Sequence, residues 1–591
     1  MTRPAAPTAK SALVPVIAAV LGIVLIRVLL LHYSEYVYDE EEYKTGSIGA
    51  LVMDGPTLPI LEYQPGDYEG GTLFFGLLTM VFFAAFGKTF VALKSLAAAT
   101  TILWAVCTIL WARKMAGNRA AWAAAALCVL PIPYIQQITN LPWGNYAETA
   151  ALSALTFLVF HGFLFENRRT VPRAVALGFL WGFGTWVHYG YLITAMTCVF
   201  VWYLTDKALW KDRRLYIAMA AALVGFAPWF AYNLTHHWWG IVRFGDALPS
   251  DASGNPLFAF VGRVWQLFSR DFAAGMHFRL GSLGIDKFAG YAYQALLLVG
   301  VTAFIRPLRR KLLDWIKAVS PRPQEAVEAD SALAAAVPLI YAAAFAAAYS
   351  LSNYGLFAAT WTGWDAETHC HIYQLYPALA LVAAVAFGRT NGVWRRVIAT
   401  AIALMLVLGL VGLSSMVDFS RPQSARLHAP AYDRDVIYME IGSKWARLPD
   451  EVPKLLDRVP PHAKRSMSFG AGITYGLFHV GTIPVAVDKC AALPERYWPY
   501  CQVGIGTGLG SAGLSDEEIA KEVSTASAAA EPAIELGVAI GHIWFGRLDH
   551  PSIAQAADAP PPPLVESDEQ DAFKQFMAGH LAMAQSRPGK D

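Results

Sequence analysis

The stretch KSALVPVIAAVLGIVLIRVLLLHYSEYVYDEEEY, residues 10–43, decides the fold of this 591-residue chain. Its apolar part, residues 11–32, is long enough to cross the roughly 30 Å hydrocarbon layer of a membrane as one helix. The segment is too long for a signal peptide and has no small-residue cleavage site, so we expect it to remain as an anchor. The carboxylate cluster YDEEEY at 38–43 then places negative charge where this helix leaves the membrane.

The rest of the chain continues this apolar character. Hydrophobic residues make up 55% of the sequence, charged residues make up 15%, and the formal net charge is +1. Ordinary soluble proteins contain about 25% charged residues. The composition excludes a disordered chain, a disulfide-rich mini-protein and a typical nucleic-acid binder, because no overall basic field attracts polyanions. Ten further apolar segments are candidate spans: 89–112, 119–134, 147–165, 174–187, 191–205, 215–233, 288–305, 333–351, 371–388 and 397–414.

The distribution of basic residues orients these segments. Cytoplasmic loops are rich in Lys and Arg. Such residues collect near the N-terminus and in the loops 113–119, 166–173, 206–214, 306–332 and 389–396. All of them fall on one side only if the apolar segment 71–87 does not cross. We therefore predict eleven spans, a cytoplasmic N-terminus, and a re-entrant helix 71–87 inside the first outer loop, 33–88. The chain then divides into a transmembrane domain, 1–414, and an extracytoplasmic domain, 415–591.

The outer domain has mixed patterns. Segments 450–459 and 515–530 read as helices, and the second begins with a capping box in which Ser515 precedes Glu518 by three residues. Residues 470–487, GAGITYGLFHVGTIPVAV, read as short strand-like pieces broken by glycine. These patterns predict an α+β domain.

Two further features of this domain concern glycine and cysteine. The run GIGTGLG at 504–510 has no strand–helix–strand context, so we interpret it as a loop rather than a nucleotide site. Cys490 and Cys501 lie eleven residues apart in what the topology makes an oxidising compartment. The sequence leaves open whether they form a disulfide.

The order of motifs after the first span resembles the GT-C superfamily of integral-membrane glycosyltransferases. The nearest group is family 39, which contains protein O-mannosyltransferases and lipid A aminoarabinose transferases. The matching order is Asp39-Glu40, IGALVMDG (48–55), YEGGTLFFGLL (68–78) and AAFG (84–87), and the resemblance extends over about residues 1–390. It implies a GT-C-type helical bundle and inverting transfer of a sugar from a polyprenyl-phosphate carrier to a glycan, lipid or protein acceptor outside the cytoplasm. It implies no cofactor and no metal.

The resemblance also implies roles for single residues. Asp39 matches the acidic residue of the first outer loop that is the family's proposed base, and Glu40 is its partner. Glu148 matches an acidic position of the second outer loop, although a glutamate at a helix start is also favourable for the helix dipole. The implied substrate-binding residues are Lys94, His188, Tyr189, Asn145, Glu69, Asp365, His371 and Tyr373.

Several of these positions depart from the family pattern. Glu69-Gly70-Gly71 stands where the family has His-Pro-Pro, and histidines stand at 188 and 371 where the family has basic residues. Lys94 also fits a lysine that extends to the membrane interface. The pair His369 and His371 is not accompanied by a second ligand set with zinc spacing.

Three other classes of protein compete with a transferase. A transporter or flippase fits the number of spans, although transporters place ionisable residues at mid-membrane and contain repeats that we do not find here. An O-antigen ligase or polymerase fits the basic loop 234–287. A non-catalytic receptor would use the outer domain. We predict a multi-pass inner-membrane enzyme whose partners are the lipid-linked donor, its acceptor and membrane lipids, without nucleic acid.

Overall fold

The computed structural model describes residues 10–39, 41–66, 70–166, 168–246, 256–272, 286–316, 323–352, 372–544, 550–563, 565 and 567–585. Throughout these ranges the regular structure is helical, and no strand forms. The chain divides into two compact units, one of Met1–Thr45 with Gly66–Pro430 and one of Gly46–Pro65 with Ala431–Asp591. The predicted boundary after residue 414 differs from this division, which assigns part of the first outer loop to the second unit.

The first unit has a helix at each of the eleven predicted spans. Its main helices are Lys10–Tyr33, Gly71–Phe86, Phe90–Val129, Pro133–Ile138, Tyr146–Leu164, Val171–Val187, Leu192–Thr205, Arg213–Gly225, Ala227–Thr235, Trp239–Asp246, Pro256–Gln266, Asp286–Ile316, Pro323–Leu351, Leu375–Arg389 and Gly392–Met416. By length and composition, six helices of the described residues are able to cross a membrane, or seven if the bent pair Arg213–Gly225 and Ala227–Thr235 forms one span. The predicted class, a helical multi-pass membrane protein, is confirmed.

The longest of these helices, Phe90–Val129, contains a break. A straight helix of 40 residues would be about 60 Å long, twice the hydrocarbon thickness. The backbone leaves helical geometry at Ala116 and Gly117, and Gly117 has φ of +78°, which glycine adopts without steric cost. The break lies within the basic loop 113–119 that was predicted to separate two spans.

Helix Gly71–Phe86 begins beside the second and third predicted outer loops. The Gly70 N–H donates to the Trp186 carbonyl at 2.8 Å, and the Thr72 hydroxyl donates to the Trp143 carbonyl at 2.9 Å. A Cβ atom on Gly71 would lie 1.9 Å from the Gly144 carbonyl oxygen. Glycine at this position therefore allows the start of the helix to touch the loop backbone.

The other end of this helix returns to the same side of the bundle. The Phe90 N–H donates to the Ala429 carbonyl at 3.2 Å, beyond the last predicted span. The end of the last predicted span is also hydrogen-bonded to the end of the first span. The Asp418 N–H donates to the Tyr33 carbonyl at 2.7 Å. A helix of 16 residues is about 24 Å long, so a crossing helix would carry its ends to opposite membrane faces. Both ends of this helix thus lie near segments that the sequence assigns to the outer side, and the re-entrant helix stays a prediction.

The second unit is a bundle of helices. They are Arg434–Trp445, Val452–Leu456, Pro461–Phe478, Ile483–Cys490, Trp498–Ser511, Asp516–Val523, Glu531–Trp544, Pro551–Asp558 and Gln570–Gln585. The capping box of Ser515 and Glu518 is present, and Cys490 and Cys501 form a disulfide. The β part of the predicted α+β domain is wrong for the described residues, because 470–487 lies in two helices and 504–510 lies inside a third.

Close contact between helix backbones explains these two errors. A Cβ atom on Gly472 would lie 1.9 Å from the Cys501 carbonyl oxygen, and one on Gly506 would lie 1.8 Å from the Ile534 carbonyl oxygen. Glycine lowers helix propensity by about 1 kcal/mol relative to alanine. Here it lets neighbouring helices pack without intervening side chains, so tertiary packing decides the local structure.

Candidate functional site

Asp39 lies at the start of the helix that the acidic cluster forms. Its Oδ1 accepts the Glu41 N–H at 2.7 Å, and its own N–H donates to Glu42 Oε1 at 2.8 Å. The helix runs over Glu42–Asp54, and the Asp39 side chain is half-buried. These bonds fix the backbone and one carboxylate oxygen of Asp39. Its predicted partner, Glu40, lies outside the described residues.

Glu42 and Lys94 form an ion pair inside the first unit. Their side chains are 0% and 1% exposed. Lys94 Nζ also donates to the Val37 carbonyl at 2.5 Å and to the Asn140 carbonyl at 3.1 Å. An ammonium group has three N–H donors, and these partners use all three. We therefore do not retain Lys94 as a ligand of a lipid phosphate.

Burial governs the protonation of Glu42. It raises the pKa of Glu42 to about 7, and the charge and hydrogen bond of Lys94 act in the opposite direction, as does the Asp39 N–H. Both carboxylate oxygens of Glu42 already have partners, since Oε1 accepts the Asp39 N–H and Oε2 pairs with Lys94. We infer that Glu42 positions Asp39 and the segment around it.

A buried arginine extends this network into the first span. Arg27 is 4% exposed, donates to Asn140 Oδ1 at 2.8 Å, and also bonds Thr101 and the Thr139 carbonyl. Sequence analysis missed Arg27, Glu42 and Asn140. The signal for Arg27 was present, since an arginine within a span is rare and needs partners.

Glu148 lies in the first turn of helix Tyr146–Leu164 and is 1% exposed. Its Oε2 has no hydrogen-bond partner among the described residues. A buried polar atom without a partner costs about 1–3 kcal/mol, and more if it is charged. Such a cost is typical of a group that is kept for a function rather than for stability.

A small apolar cavity borders the helix that contains Glu148, at Ala147 and Ala150. Its volume is about 10 Å³, which is room for roughly one water molecule. The lining residues come from the second span, the second outer loop, the helix of Glu148 and the segment after residue 372: Thr101, Trp104, Ile135, Thr139, Ala147, Ala150, Tyr373 and Pro377. The cavity is therefore bordered by the loops that contain the candidate site.

His188, Tyr146 and Tyr373 form a cluster of rings near the same helix ends. The Tyr146 ring lies 5.4 Å from the His188 ring and 5.7 Å from the Tyr373 ring. His188 Nδ1 accepts the Gly190 N–H at 3.0 Å, so the neutral imidazole carries its proton on Nε2. Gln374 Nε2 donates to the Tyr373 hydroxyl at 3.0 Å.

Two of the predicted binding residues have structural contacts. The Tyr189 hydroxyl donates to the Gly240 carbonyl at 3.1 Å and accepts from Trp229 Nε1 at 2.6 Å. These bonds hold the segment after helix Ala227–Thr235. Asn145 is the residue before helix Tyr146–Leu164 and is half-buried.

Three other predicted residues, Glu69, Asp365 and His371, lie outside the described residues. Among the residues that the structure describes, Asp39 and Lys94 are brought together by Glu42, which bonds both. The structure separately brings His188 and Tyr373 together through Tyr146, two positions before Glu148.

Comparison with known protein-family models finds no match, and comparison with curated proteins also finds none. Among solved structures, the chain is similar to the apo oligosaccharyltransferase of Archaeoglobus fulgidus, with 14% identity, a TM-score of 0.44, and coverage of 86% of this chain and 72% of the other. It is also similar to ArnT from Cupriavidus metallidurans. For the structure with undecaprenyl phosphate the identity is 15%, the TM-score 0.42 and the coverage 98% and 89%. For the apo state these values are 14%, 0.43, 98% and 88%.

Proposed function

We propose that this protein is an integral-membrane glycosyltransferase that moves a sugar from a polyprenyl-phosphate carrier to an extracytoplasmic acceptor. One observation carries the proposal. Lys94 bonds Glu42, Val37 and Asn140. A buried ammonium group therefore connects the first outer loop, which is acidic, to the second outer loop. The loop of Asn140 leads directly into Glu148, and both predicted acidic positions therefore belong to connected segments.

In this proposal Asp39 is the general base. The acceptor hydroxyl oxygen attacks the anomeric carbon from the face opposite the phosphate, and Asp39 removes the hydroxyl proton. The bond between the anomeric carbon and the phosphate oxygen breaks, polyprenyl phosphate leaves with the electron pair, and the configuration inverts. A positioned base of this kind contributes roughly 10²–10⁴-fold to a rate.

Charge develops on the phosphate as this bond breaks. Donors that already point at the leaving oxygen lower the barrier most. We assign this role to His188, whose neutral ring carries its proton on Nε2 because Nδ1 accepts the Gly190 N–H.

The enzyme would act at the outer face of the inner membrane. The loops with Lys and Arg define the cytoplasmic side by the positive-inside rule. The disulfide between Cys490 and Cys501 supports an oxidising compartment for the second unit. The N-terminus would then be cytoplasmic.

A transporter remains the principal alternative because Arg27 is a charged residue inside a span. Its guanidinium bonds Asn140, Thr101 and the Thr139 carbonyl, which is the pattern of a residue that holds helices together. We therefore favour chemistry at the membrane surface.

The test is transfer by the purified full-length protein from radiolabelled polyprenyl-phosphate sugars. We expect Asp39→Asn to lower the rate by at least roughly 100-fold. Glu41→Gln is the matched control, since among the described residues the Glu41 side chain pairs only with Lys44, at 3.2 Å, and its backbone bond to Asp39 is kept. Equal rates in both variants would remove Asp39 from the mechanism, and no transfer by the wild type from any polyprenyl-phosphate sugar would refute the function.

A further inference from the structure

A group of metal-ligating side chains lies in the second unit, away from the candidate transferase site. It consists of Asp516, His542 and His550, whose ligand atoms all lie within 4.8 Å of one another. Asp516 is the first residue of helix Asp516–Val523, His542 is in the last turn of helix Glu531–Trp544, and His550 precedes helix Pro551–Asp558. Three separate elements thus contribute one ligand atom each.

The geometry brings both imidazole Nε2 atoms to the same carboxylate. His550 Nε2 lies 3.1 Å from Asp516 Oδ2, and His542 Nε2 lies 4.0 Å from Asp516 Oδ1. The centroids of the two imidazole rings are 3.9 Å apart. Ligand atoms around a tetrahedral zinc ion are about 3.3 Å apart, since each lies about 2.0–2.2 Å from the metal. A shift of about 1 Å or less in the His542–Asp516 distance would bring that pair to the spacing a zinc ion requires.

Ser552 contacts the ring nitrogen of each histidine that faces away from Asp516. Its hydroxyl oxygen lies 2.8 Å from His550 Nδ1 and 3.2 Å from His542 Nδ1. Histidines that bind a metal through one ring nitrogen usually donate the other N–H to a neighbour. The Ser552 N–H also donates to His550 Nδ1 at 3.3 Å, so the neutral His550 ring carries its proton on Nε2, which faces Asp516. Zinc binding at His550 Nε2 would move this proton to Nδ1, and the Ser552 hydroxyl oxygen, which has two lone pairs, would then accept the Nδ1–H groups of both histidines.

The burial of the three residues fits a site with one open side. The His542 side chain is 1% exposed, that of His550 is 22% exposed, and that of Asp516 is 62% exposed. A buried and a half-buried imidazole fix two ligands, while the exposed carboxylate leaves an entry path and room for a water molecule as the fourth ligand.

We propose that Asp516, His542 and His550 bind one zinc ion, or a similar divalent ion that accepts nitrogen and oxygen ligands. The ion would join the start of one helix to the end of a second and the start of a third. The site requires nothing of the proposed transferase chemistry, so the two proposals stand or fall separately.

The test is metal binding by the full-length protein without a polyhistidine tag. After chelator treatment, we expect the wild type to take up one Zn²⁺ per chain, measured by mass spectrometry after dialysis. Co²⁺ in place of Zn²⁺ should give the visible absorption of a tetrahedral site. Asp516→Asn and His550→Ala each alter an accessible ligand, and each should weaken binding by at least roughly tenfold.

The matched control is His479→Ala, which removes a partly exposed histidine of the same unit that contacts Thr482 instead. It should bind as the wild type does. Two results would overturn the proposal: a wild type that retains no Zn²⁺ above its Asp516→Asn variant, or a Co²⁺ spectrum that both ligand variants leave unchanged. Circular dichroism of each variant verifies that the helices are intact, so that lost binding is read as a lost ligand.

Discussion

Lys94 and Glu42 form a buried ion pair that connects the start of the second span to the helix after the first. Their side chains are 1% and 0% exposed, and Lys94 also bonds the carbonyls of Val37 and Asn140. Two buried charges lose their hydration, so such a pair adds little stability compared with an apolar pair, but the loss of one partner leaves the other charge uncompensated. The pair therefore holds the loops in one arrangement.

Replacement of Lys94 by Met should destabilise the protein by about 3–5 kcal/mol at neutral pH. The cause is the buried carboxyl group of Glu42, which loses its cation and must take up a proton to stay in the folded protein. Without Lys94 the pKa of Glu42 rises further, because the charge and hydrogen bond that oppose burial are gone. The folded protein then holds a proton that the unfolded chain has released, so the free energy of unfolding should fall as the pH rises above neutrality.

The measurement is chemical or thermal unfolding in detergent between pH 6 and pH 9, with Glu42→Gln and the double variant in the same series. We expect the double variant to be more stable than the sum of the single changes predicts, by roughly 1–3 kcal/mol. Additive effects would show that the two side chains do not depend on each other.

The topology is testable on the two ends of one helix. Helix Gly392–Met416 has exposed residues just outside each end, Asn391 and Ser420. In the proposed orientation, a membrane-impermeant thiol reagent should label Ser420→Cys in intact cells and Asn391→Cys only after lysis. Cys107, Cys128 and Cys198 are buried and give little background, and Cys370 is replaced by Ser. The reverse labelling pattern would invert the orientation.

The positions of the helices in the first unit were predictable because each apolar run carries its own signal. An apolar run of about 20 residues needs no knowledge of the fold, and a basic loop marks its cytoplasmic end. The break at Gly117 falls in such a loop. In contrast, the glycine-rich helices of the second unit gave a misleading signal, because glycine marks turns locally and close helix contacts only in the folded bundle.

This interpretation of the glycines makes a prediction for Gly506. Its replacement by Ala would place a Cβ atom 1.8 Å from the Ile534 carbonyl oxygen, so helices Trp498–Ser511 and Glu531–Trp544 must separate. We expect a loss of about 1–3 kcal/mol in the free energy of unfolding. Gly579 is the matched control, because a Cβ atom there meets nothing within 4 Å.

On the exposed face of helix Gln570–Gln585, Gly579→Ala should instead add up to about 1 kcal/mol through helix propensity. Denaturant unfolding of both variants gives the comparison. Equal effects of the two changes would mean that close packing at Gly506 does not contribute to stability.

The candidate site was also predictable only in part, because contacts in the folded bundle decide the roles of its residues. The sequence identified Asp39 and Glu148 by their places at span ends. It did not identify Glu42 from among four consecutive acidic residues, because only the position of Lys94 in the folded bundle distinguishes it. It assigned Lys94 to a substrate because a sequence does not show that Asn140 and Val37 use its remaining donors.

Glu148 provides the sharpest distinction between a structural and a functional residue. Its side chain is 1% exposed and its Oε2 has no partner among the described residues, so the charged form is costly to bury. Glu148→Gln keeps the size of the side chain and removes the charge. We therefore expect the free energy of unfolding to stay the same or to rise by about 1 kcal/mol, since a neutral amide is less costly to bury than a carboxylate.

If Glu148 is retained for chemistry, the same change should lower the activity even though it does not lower the stability. We expect Glu148→Gln to lower the transfer rate by at least roughly tenfold while the thermal midpoint stays at or above that of the wild type. Ser153→Ala is a suitable comparison on the same helix, because it loses a hydrogen bond of 2.8 Å to Thr194 and should be less stable with transfer retained. If Glu148→Gln instead lowers the midpoint and leaves transfer unchanged, Glu148 belongs to the framework of the helix bundle and the second acidic position has no part in the reaction.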